Sequence, residues 1–196
     1  MDIDEAGYLS IALNDYGCLV HTGLLGWLSA IEVRNIQPPL TMALASLVFV
    51  FTGPHVIAGF VVPLLAGACC IVTTYFLGKS VSCPQVGMLA SVLIASCPVI
   101  INYSRSFNFA LIATLVMTLC LLALVRSDRF DKANWVGLFG LTLGLLPLAR
   151  TMTVAFIPGI VAGAFVHVIV EPGHLLRRVL MLFASFQSVP SNCLGH

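Results

Sequence analysis

The chain has 196 residues, of which 59% are hydrophobic and 9% are charged, and its formal net charge is +1. An ordinary soluble domain is only about 45–50% apolar, so the composition indicates an integral membrane protein. There is no excess of either charge sign and no basic stripe, which argues against nucleic acid as a partner.

The chain opens with MDIDEAGYLS, an acidic segment on an otherwise apolar sequence. One interpretation is a capped amphipathic helix, in which Asp4 accepts hydrogen bonds from backbone N–H groups and Glu5 favours the positive helix end. The other is catalytic: Asp4 acts as a general base, and Tyr8, one helical turn further on, positions what Asp4 acts on. The residues alone leave both interpretations open.

A short apolar helix is predicted next, over Leu40 to Phe51, after two prolines and before Thr52-Gly53-Pro54. A bilayer span needs about 20 residues, so this stretch predicts an interfacial or re-entrant helix. Five longer apolar stretches follow, and their short joints predict antiparallel neighbours. These predicted spans are His55 to Leu77, Pro84 to Ile101, Phe107 to Val125, Ala133 to Ala149 and Thr151 to Val170.

The predicted fold class is therefore all-α, a polytopic transmembrane helix bundle with about five spans plus an interfacial helix. Residues 1–53 are assigned to an extracytoplasmic first loop with interfacial helices, residues 54–186 to the transmembrane bundle and residues 187–196 to a polar tail. Leu175 to Phe186 is apolar enough to begin a sixth span that the chain does not finish.

The positions of lysine and arginine predict the orientation, because cytoplasmic loops carry an excess of both. If the first full span runs from outside to inside, most of the basic residues are cytoplasmic: Lys79, Arg126, Arg129, Lys132, Arg177 and Arg178. Arg34, Arg105 and Arg150 then share the outer side with Asp4 and Glu5. The protein is thus predicted to be multi-pass, in the cell membrane if the source is prokaryotic, with its amino terminus outside.

Arg105, in INYSRSFNF, and Arg150, in LPLARTMT, are predicted at outer helix ends. A charge at membrane depth costs roughly 2.5–3.5 kcal/mol on insertion scales and tends to persist where it has a partner or a function. Each arginine could simply extend to the lipid headgroups. Two arginines on one face also suit a phosphate, because the guanidinium fork matches its geometry.

Cysteine and histidine spacing predicts neither a disulfide framework nor a zinc site. No C-x-x-C pair occurs among the seven cysteines. Cys69, Cys70, Cys97 and Cys120 lie in apolar runs, so they are interpreted as small buried hydrophobic residues.

Several segments occur in an order that resembles a known family: DEAGYLSIA, QPPLTMALASLVFVFTG, FLGKSV, YSRSFNFALIATLVMTLCLLAL and GLTLGLLPLAR. The order is similar to that of the polyprenyl-phosphate-sugar-dependent glycosyltransferases of the C-type fold. This group lies in the dolichyl-phosphate-mannose-protein mannosyltransferase superfamily and includes protein O-mannosyltransferases and bacterial aminoarabinose transferases. The resemblance covers residues 3–170, the amino-terminal part of a typical member.

The resemblance implies roles for particular residues. The family's Asp-Glu pair, which activates the acceptor or holds a divalent metal ion, matches Asp4 and Glu5. Its His/Lys-Pro-Pro motif matches the stretch at Gln37, whose neutral side chain departs from the pattern. The lysine that lies near the donor phosphate is matched by Arg150, and an aspartate after the Tyr-Ser-Arg joint is replaced by the neutral Asn108. Tyr8, Gln37 and Asn108 are assigned to substrate positioning.

The implied reaction is an inverting transfer of a sugar from a polyprenyl phosphate to a hydroxyl of a lipid or protein acceptor outside the cytoplasm. Asp4 would deprotonate or orient the nucleophile, while Arg150, with Arg105, stabilises the phosphate leaving group. The family has a span before the Asp-Glu pair and more spans after residue 170, so the sequence predicts a truncated part of such an enzyme.

Two other functions stay open. A carrier-like membrane protein would need broken or charged helices near the midplane, and Pro63, Pro98, Pro147 and Pro158 are predicted to interrupt helices. A noncatalytic membrane subunit could pack through the small-residue motifs at Gly140 to Gly144 and Gly159 to Gly163.

Overall fold

The computed structural model describes residues 3–32, 39–128 and 130–169, and every regular element in these ranges is a helix. This confirms the all-α class. Gln37, Arg34, Arg129, Arg177 and Arg178, together with the predicted sixth span and the polar tail, lie outside the described residues.

The first two helices pack against each other. Helix α1 (Ile3–Glu32) is kinked at Gly23, whose φ of 72° lies in the left-handed region that glycine tolerates. Helix α2 (Pro39–Thr52) ends at Gly53, which also has positive φ and whose N–H donates to the Phe49 carbonyl at 2.9 Å. The pair is joined by a hydrogen bond from the Trp27 indole N–H to Ser46 Oγ at 3.0 Å.

Helix α3 (Val56–Val81) is the long apolar element of the bundle. Its 26 residues extend about 39 Å at about 1.5 Å per residue, more than the roughly 30 Å of a hydrocarbon core. Among the described helices it alone is long and apolar enough to cross a membrane by itself. Its mean hydropathy is 2.4, and less than half of its most apolar window is buried within the protein.

The next predicted span is broken in two. Helix α4 (Pro84–Ala95) and helix α5 (Pro98–Ser104) meet at an angle of 61°. The break falls where expected, because Pro98 cannot donate a backbone hydrogen bond and its ring disfavours helical geometry in the residue before it. The pair counts as a second span only if the two pieces cross the membrane together.

Two helices of 17 residues follow, α6 (Ala110–Arg126) and α7 (Ala133–Ala149). A 3₁₀ helix (Thr151–Phe156) then leads into α8 (Ile157–Ile169). These apolar elements are shorter than a full span. The described residues therefore support one or two spans by length and composition, and the count of five remains a prediction.

Helices α3, α6 and α7 lie side by side, with α4 against the far side of α3 and α2 touching α1, α3 and α7. Helices α3 and α6 run parallel, since Cys70 contacts Thr118 and Ser80 contacts Arg126. The core between them is built from aromatic and aliphatic side chains that are almost fully buried: Phe49, Phe107, Leu111, Ile112, Phe139, Leu143 and Leu146.

Many apolar side chains also face outward. Phe51, Ile57 and Leu25 are 89%, 81% and 84% exposed, and exposed leucines and valines recur along α3, α4 and α5. A continuous apolar exterior of this kind is rare on monomeric soluble proteins and suits contact with lipid.

Two predictions about single residue types need correction. Pro63 and Pro147 lie inside continuous helices rather than interrupting them. Cys69 is exposed, whereas Cys70 and Cys120 are buried as expected. Because α3 is apolar on all sides, apolarity alone did not distinguish its outward face from its inward face.

Candidate functional site

The joint Phe107-Asn108-Phe109 organises one end of the bundle. Phe107 is fully buried, and its ring meets Phe60 of α3 edge to face, with centroids 6.3 Å apart. Asn108 Oδ1 accepts a hydrogen bond from the Ala110 N–H at 3.1 Å, which satisfies one of the free N–H groups at the start of α6. Phe107 and Asn108 therefore fix the backbone of the joint, and with it the position of its third residue, Phe109.

Helix α1 is held against the same end. Leu9 is 4% exposed, and a Cβ at Gly59 would lie 2.8 Å from its Cδ1 atom. An alanine at position 59 would require the end of the Leu9 side chain to shift, because real Cβ atoms do not come so close to a neighbour. The first turns of α1 are thereby brought beside the starts of α3 and α6.

Two of the predicted site residues contact Phe109. The Arg150 guanidinium carbon lies over the Phe109 ring, 5.4 Å from its centroid. The Tyr8 ring meets Phe109 edge to face, with centroids 5.6 Å apart at an interplanar angle of 78°. We call Tyr8, Phe107, Asn108, Phe109 and Arg150 the Phe109 end of the bundle. The predicted site residues Tyr8 and Arg150 thus share one aromatic neighbour, although they are far apart in sequence.

The backbone around Arg150 is fixed by a turn. Arg150 is extended, with φ −165° and ψ 128°, between the end of α7 and the 3₁₀ helix. Its N–H donates to the Leu146 carbonyl, and its carbonyl accepts from the Thr153 N–H at 3.0 Å. The Thr153 hydroxyl lies 2.6 Å from both the Leu146 and Arg150 carbonyls. The Arg150 side chain therefore starts from a rigid backbone position.

Asp4 and Glu5 lie in the first turn of α1, where Asp4 is exposed and Glu5 is half-buried. Asp4 is one turn before Tyr8 on the same helix, as predicted. The acidic pair also lies at the positive end of the helix dipole, as the capping interpretation requires. The geometry is thus compatible with both interpretations.

Arg105 and Asn108 are placed less favourably for a shared site. Arg105 follows α5 directly and is exposed. Asn108 Oδ1 accepts the bond from the Ala110 N–H, so this oxygen serves the start of α6, and the predicted role of Asn108 in substrate positioning stays a prediction. The predicted pairing of the two arginines therefore remains an expectation.

Two residues near this site were not predicted. Phe109 was missed because its importance arises from contacts with α1 and α7, which no local pattern encodes. Asp15, although acidic, is fully buried on α1. The signal for Asp15 was its position: Leu9, Ala12 and Asp15 recur at helical spacing and lie on the buried face of α1.

The comparison with protein families adds one result. A family model described as dolichyl-phosphate-mannose-protein mannosyltransferase matches residues 36–189, the greater part of the chain. The chain belongs to this family. Within the mannosyltransferase-family match lie Gln37, Arg105, Asn108 and Arg150, whereas Asp4, Glu5 and Tyr8 precede it. No curated protein and no solved structure matches the chain significantly.

The opposite end of this mannosyltransferase-family chain carries a second arginine held by aromatic rings. The Arg126 guanidinium carbon lies 5.2 Å from the Phe76 centroid and 5.1 Å from the Trp135 centroid, and its Nε donates to Ser80 Oγ at 3.1 Å. Lys79 and the exposed ion pair of Lys132 with Asp128, 3.2 Å long, are nearby in the chain. We call this the Arg126 end.

Metal binding by Asp4, which the resemblance implied, stays a prediction. No group of three or more histidine, cysteine, aspartate or glutamate side chains that could hold a metal ion occurs among the described residues. Asp4 and Glu5 are adjacent on a helix and diverge by about 100° around its axis.

Proposed function

We propose that this chain is a membrane glycosyltransferase, or part of one, that transfers a sugar from a polyprenyl-phosphate donor to an acceptor hydroxyl on the extracytoplasmic side. The family description supports a lipid-phosphate sugar donor. The observation that carries the proposal is the placement of Arg150 over Phe109, which also contacts Tyr8. This contact gathers the start of α1, the start of α6 and the end of α7 at one end of the bundle.

In the proposed reaction, the acceptor oxygen attacks the anomeric carbon of the sugar, and the bond from that carbon to the phosphate oxygen breaks. The leaving group changes from a phosphodiester with one negative charge to a phosphomonoester with about two. A fixed cation at that phosphate binds the transition state more strongly than the ground state. Arg150 is assigned this role, and Arg105 is retained as a second candidate.

Asp4 is assigned to the acceptor. Its carboxylate takes the proton that the attacking hydroxyl loses, and its exposure in the first turn of α1 leaves it open to an incoming acceptor. A positioned general base contributes typically 10²–10⁴-fold to a rate. Tyr8, one turn away, is assigned to positioning the acceptor or donor, as is Gln37 from its place in the motif.

The direct test of this proposal is sugar transfer from a polyprenyl-phosphate mannose to a hydroxyl acceptor by the full chain in lipid nanodiscs. Asp4→Asn is expected to lower the rate at least 100-fold at unchanged donor affinity, because it removes only the base. Asp128→Asn, an exposed acid at the Arg126 end, is the matched control and should retain activity. Full transfer by Asp4→Asn would exclude the assignment of the base.

The donor site is tested separately, through Arg150→Met and Arg150→Lys. Loss of the guanidinium should weaken donor binding about tenfold or more, since a hydrogen bond to a charged group contributes about 1.5–3 kcal/mol. The lysine variant keeps the charge but loses the fork, so it should recover only part of the affinity. If Arg150→Met binds the donor like the wild type, Arg150 only extends to the headgroups.

The carrier alternative is favoured by one observation, the 61° break between α4 and α5. Broken helices in carriers place ionisable or backbone polar groups near the midplane. In the described helices α3 to α7, however, the charged residues lie within a turn of a helix end or in a joint. Solute uptake by vesicles that contain the purified chain, without sugar transfer, would support the carrier instead.

A further inference from the structure

Phe109 contacts both Tyr8 and Arg150, and the family resemblance assigns it no role. Its ring receives the Arg150 guanidinium at 5.4 Å and the Tyr8 ring at 5.6 Å. The ring is half-buried, so it is neither an interior packing residue nor a freely moving surface side chain.

The ring is held in place from its own side of the bundle. Phe107, two residues earlier, is fully buried against Phe60 and the Gly59 face of α3. Asn108 binds the Ala110 N–H and so fixes the first turn of α6. The edge-to-face contact with Tyr8 then restrains the Phe109 ring from α1.

A guanidinium that stacks on a ring keeps its hydrogen-bonding capacity. The cation–π attraction acts through the flat face of the group, whereas its five N–H donors point outward in its plane. In the structure, Arg150 Nη2 contacts the Met152 sulfur at 4.0 Å, and thioether sulfur is a weak acceptor. A phosphate would therefore displace only a weak partner.

A guanidinium that is already restrained before the anion arrives also lowers the entropic cost of anion binding. An arginine side chain carries about 2 kcal/mol of rotamer entropy, part of which is lost when it grips an anion. Both ends of Arg150 are restrained before any ligand arrives, the backbone by Thr153 and the guanidinium by Phe109. Restraint of this kind increases affinity without adding a contact to the ligand.

We propose that Phe109 is a positioning residue that holds the Arg150 guanidinium ready for a polyprenyl phosphate, with Tyr8 restraining the ring from α1. The inference rests on the proposed function, because it assigns the anion to the donor phosphate. Phe109 would act on the ligand through Arg150, without touching the sugar or the acceptor.

The test measures binding of undecaprenyl phosphate to the full chain in nanodiscs, with undecaprenol as the probe that lacks phosphate. Phe109→Leu is expected to weaken phosphate binding roughly two- to thirtyfold, the range that one cation–π contact contributes. Phe109→Tyr keeps an aromatic face and should recover the affinity. Phe76→Leu is the matched control, because it removes a ring that contacts an arginine at the opposite end of the bundle, Arg126, and should leave binding unchanged.

A double variant separates positioning from general damage to the fold. If Phe109 acts through Arg150, Phe109→Leu should cost no further affinity in an Arg150→Met background. Additive losses would mean that the ring has a separate, structural role and would overturn the inference. Phe109→Met, which removes the ring but keeps much of its volume, gives the same comparison should the leucine variant fail to fold.

The remaining outcomes distinguish the inference from the proposed function. Weaker binding by Arg150→Met, with wild-type affinity in Phe109→Leu and Phe109→Met, would overturn the role of Phe109 and leave the donor site intact. Equal binding of undecaprenyl phosphate and undecaprenol by the wild type would overturn both, because no phosphate would be recognised.

Discussion

At the scale of single residues, the structure assigns different tasks to neighbours that look alike in the sequence. Phe107 is an interior anchor, whereas Phe109 carries the Arg150 guanidinium. Arg105 is exposed, whereas Arg150 is half-buried on an aromatic ring. Sequence patterns predicted Arg150 and Tyr8 as site residues but not the ring between them, since that contact depends on how α1, α6 and α7 pack.

Thr153 gives a prediction at this scale. Its buried hydroxyl lies 2.6 Å from the Leu146 and Arg150 carbonyls, and each of these carbonyls also accepts one backbone N–H. Thr153→Val should therefore destabilise the protein only modestly, by about 1 kcal/mol, because each carbonyl keeps a partner. The measurement is the melting temperature in detergent, with undecaprenyl phosphate affinity as a second readout.

Thr151→Val is the control for that substitution. Thr151 begins the same 3₁₀ helix but is exposed. The Thr151→Val variant should have the same melting temperature as the wild type. If Thr153→Val also keeps both its melting temperature and its affinity, the turn at Arg150 does not depend on the Thr153 hydroxyl.

At the scale of elements, the helix limits that were predicted best are those next to a charged residue, a proline or a glycine. Helix α7 occupies the predicted range, between Lys132 and Arg150, and α2 begins at a proline and ends at a glycine as expected. Helix α3 extends to Val81, past Lys79, because a lysine in the last turn suits the negative end of the helix dipole. The predicted second span is divided at Pro98, and hydropathy alone did not predict its 61° bend.

The crossing of α3 and α4 gives a prediction at this scale. A Cβ at Gly87 would lie 2.5 Å from the Tyr75 carbonyl oxygen and 2.9 Å from the Lys79 nitrogen, both of which are backbone atoms. Gly87→Ala must therefore push the two helices apart, and it should cost about 1–3 kcal/mol, as overpacking typically does. The expected result is a melting temperature several degrees lower in detergent.

Gly137→Ala in α7 is the matched control, because no atom lies within 4 Å of the added Cβ. It should melt at or slightly above the wild-type temperature, since alanine favours a helix over glycine. Equal melting of Gly87→Ala and Gly137→Ala would contradict the close approach of α3 and α4.

At the scale of the whole molecule, the two ends of the bundle are chemically distinct. The Phe109 end holds Arg150 beside Tyr8, and the Arg126 end holds Lys79, Arg126 and Lys132. The charge pattern predicts that the Arg126 end is cytoplasmic. The sequence predicted this separation because it depends only on the order of charges along the chain. The order of charges did not predict that Leu9 and Ala12 of α1 join the core.

Cys83 offers a test of the orientation. It lies between α3 and α4, in the joint that follows Lys79, and the Val86 N–H donates to its sulfur and lowers the pKa of the thiol. The lowered pKa enlarges the thiolate fraction near neutral pH, so alkylation should be faster than for an ordinary cysteine. In a variant that retains only Cys83, a membrane-impermeant maleimide should label inverted vesicles but not intact cells.

A single cysteine at Pro54, exposed in the joint between α2 and α3, is the matched probe for the other side. It should show the opposite pattern and react more slowly at neutral pH. Labelling of Cys83 in intact cells would reverse the orientation and place the Phe109 end in the cytoplasm.

If α6 and α7 span the membrane as predicted, their shortness has a consequence for the surrounding bilayer. Seventeen residues in each helix extend about 25 Å, a few ångströms less than the roughly 30 Å thickness of a hydrocarbon core. A bilayer thins around an apolar helix that is shorter than its hydrocarbon core. Where α7 stops, at Arg150, the headgroup layer would dip toward the protein. A lipid-borne phosphate would then reach that arginine by sliding sideways in its own leaflet, without being lifted out of it.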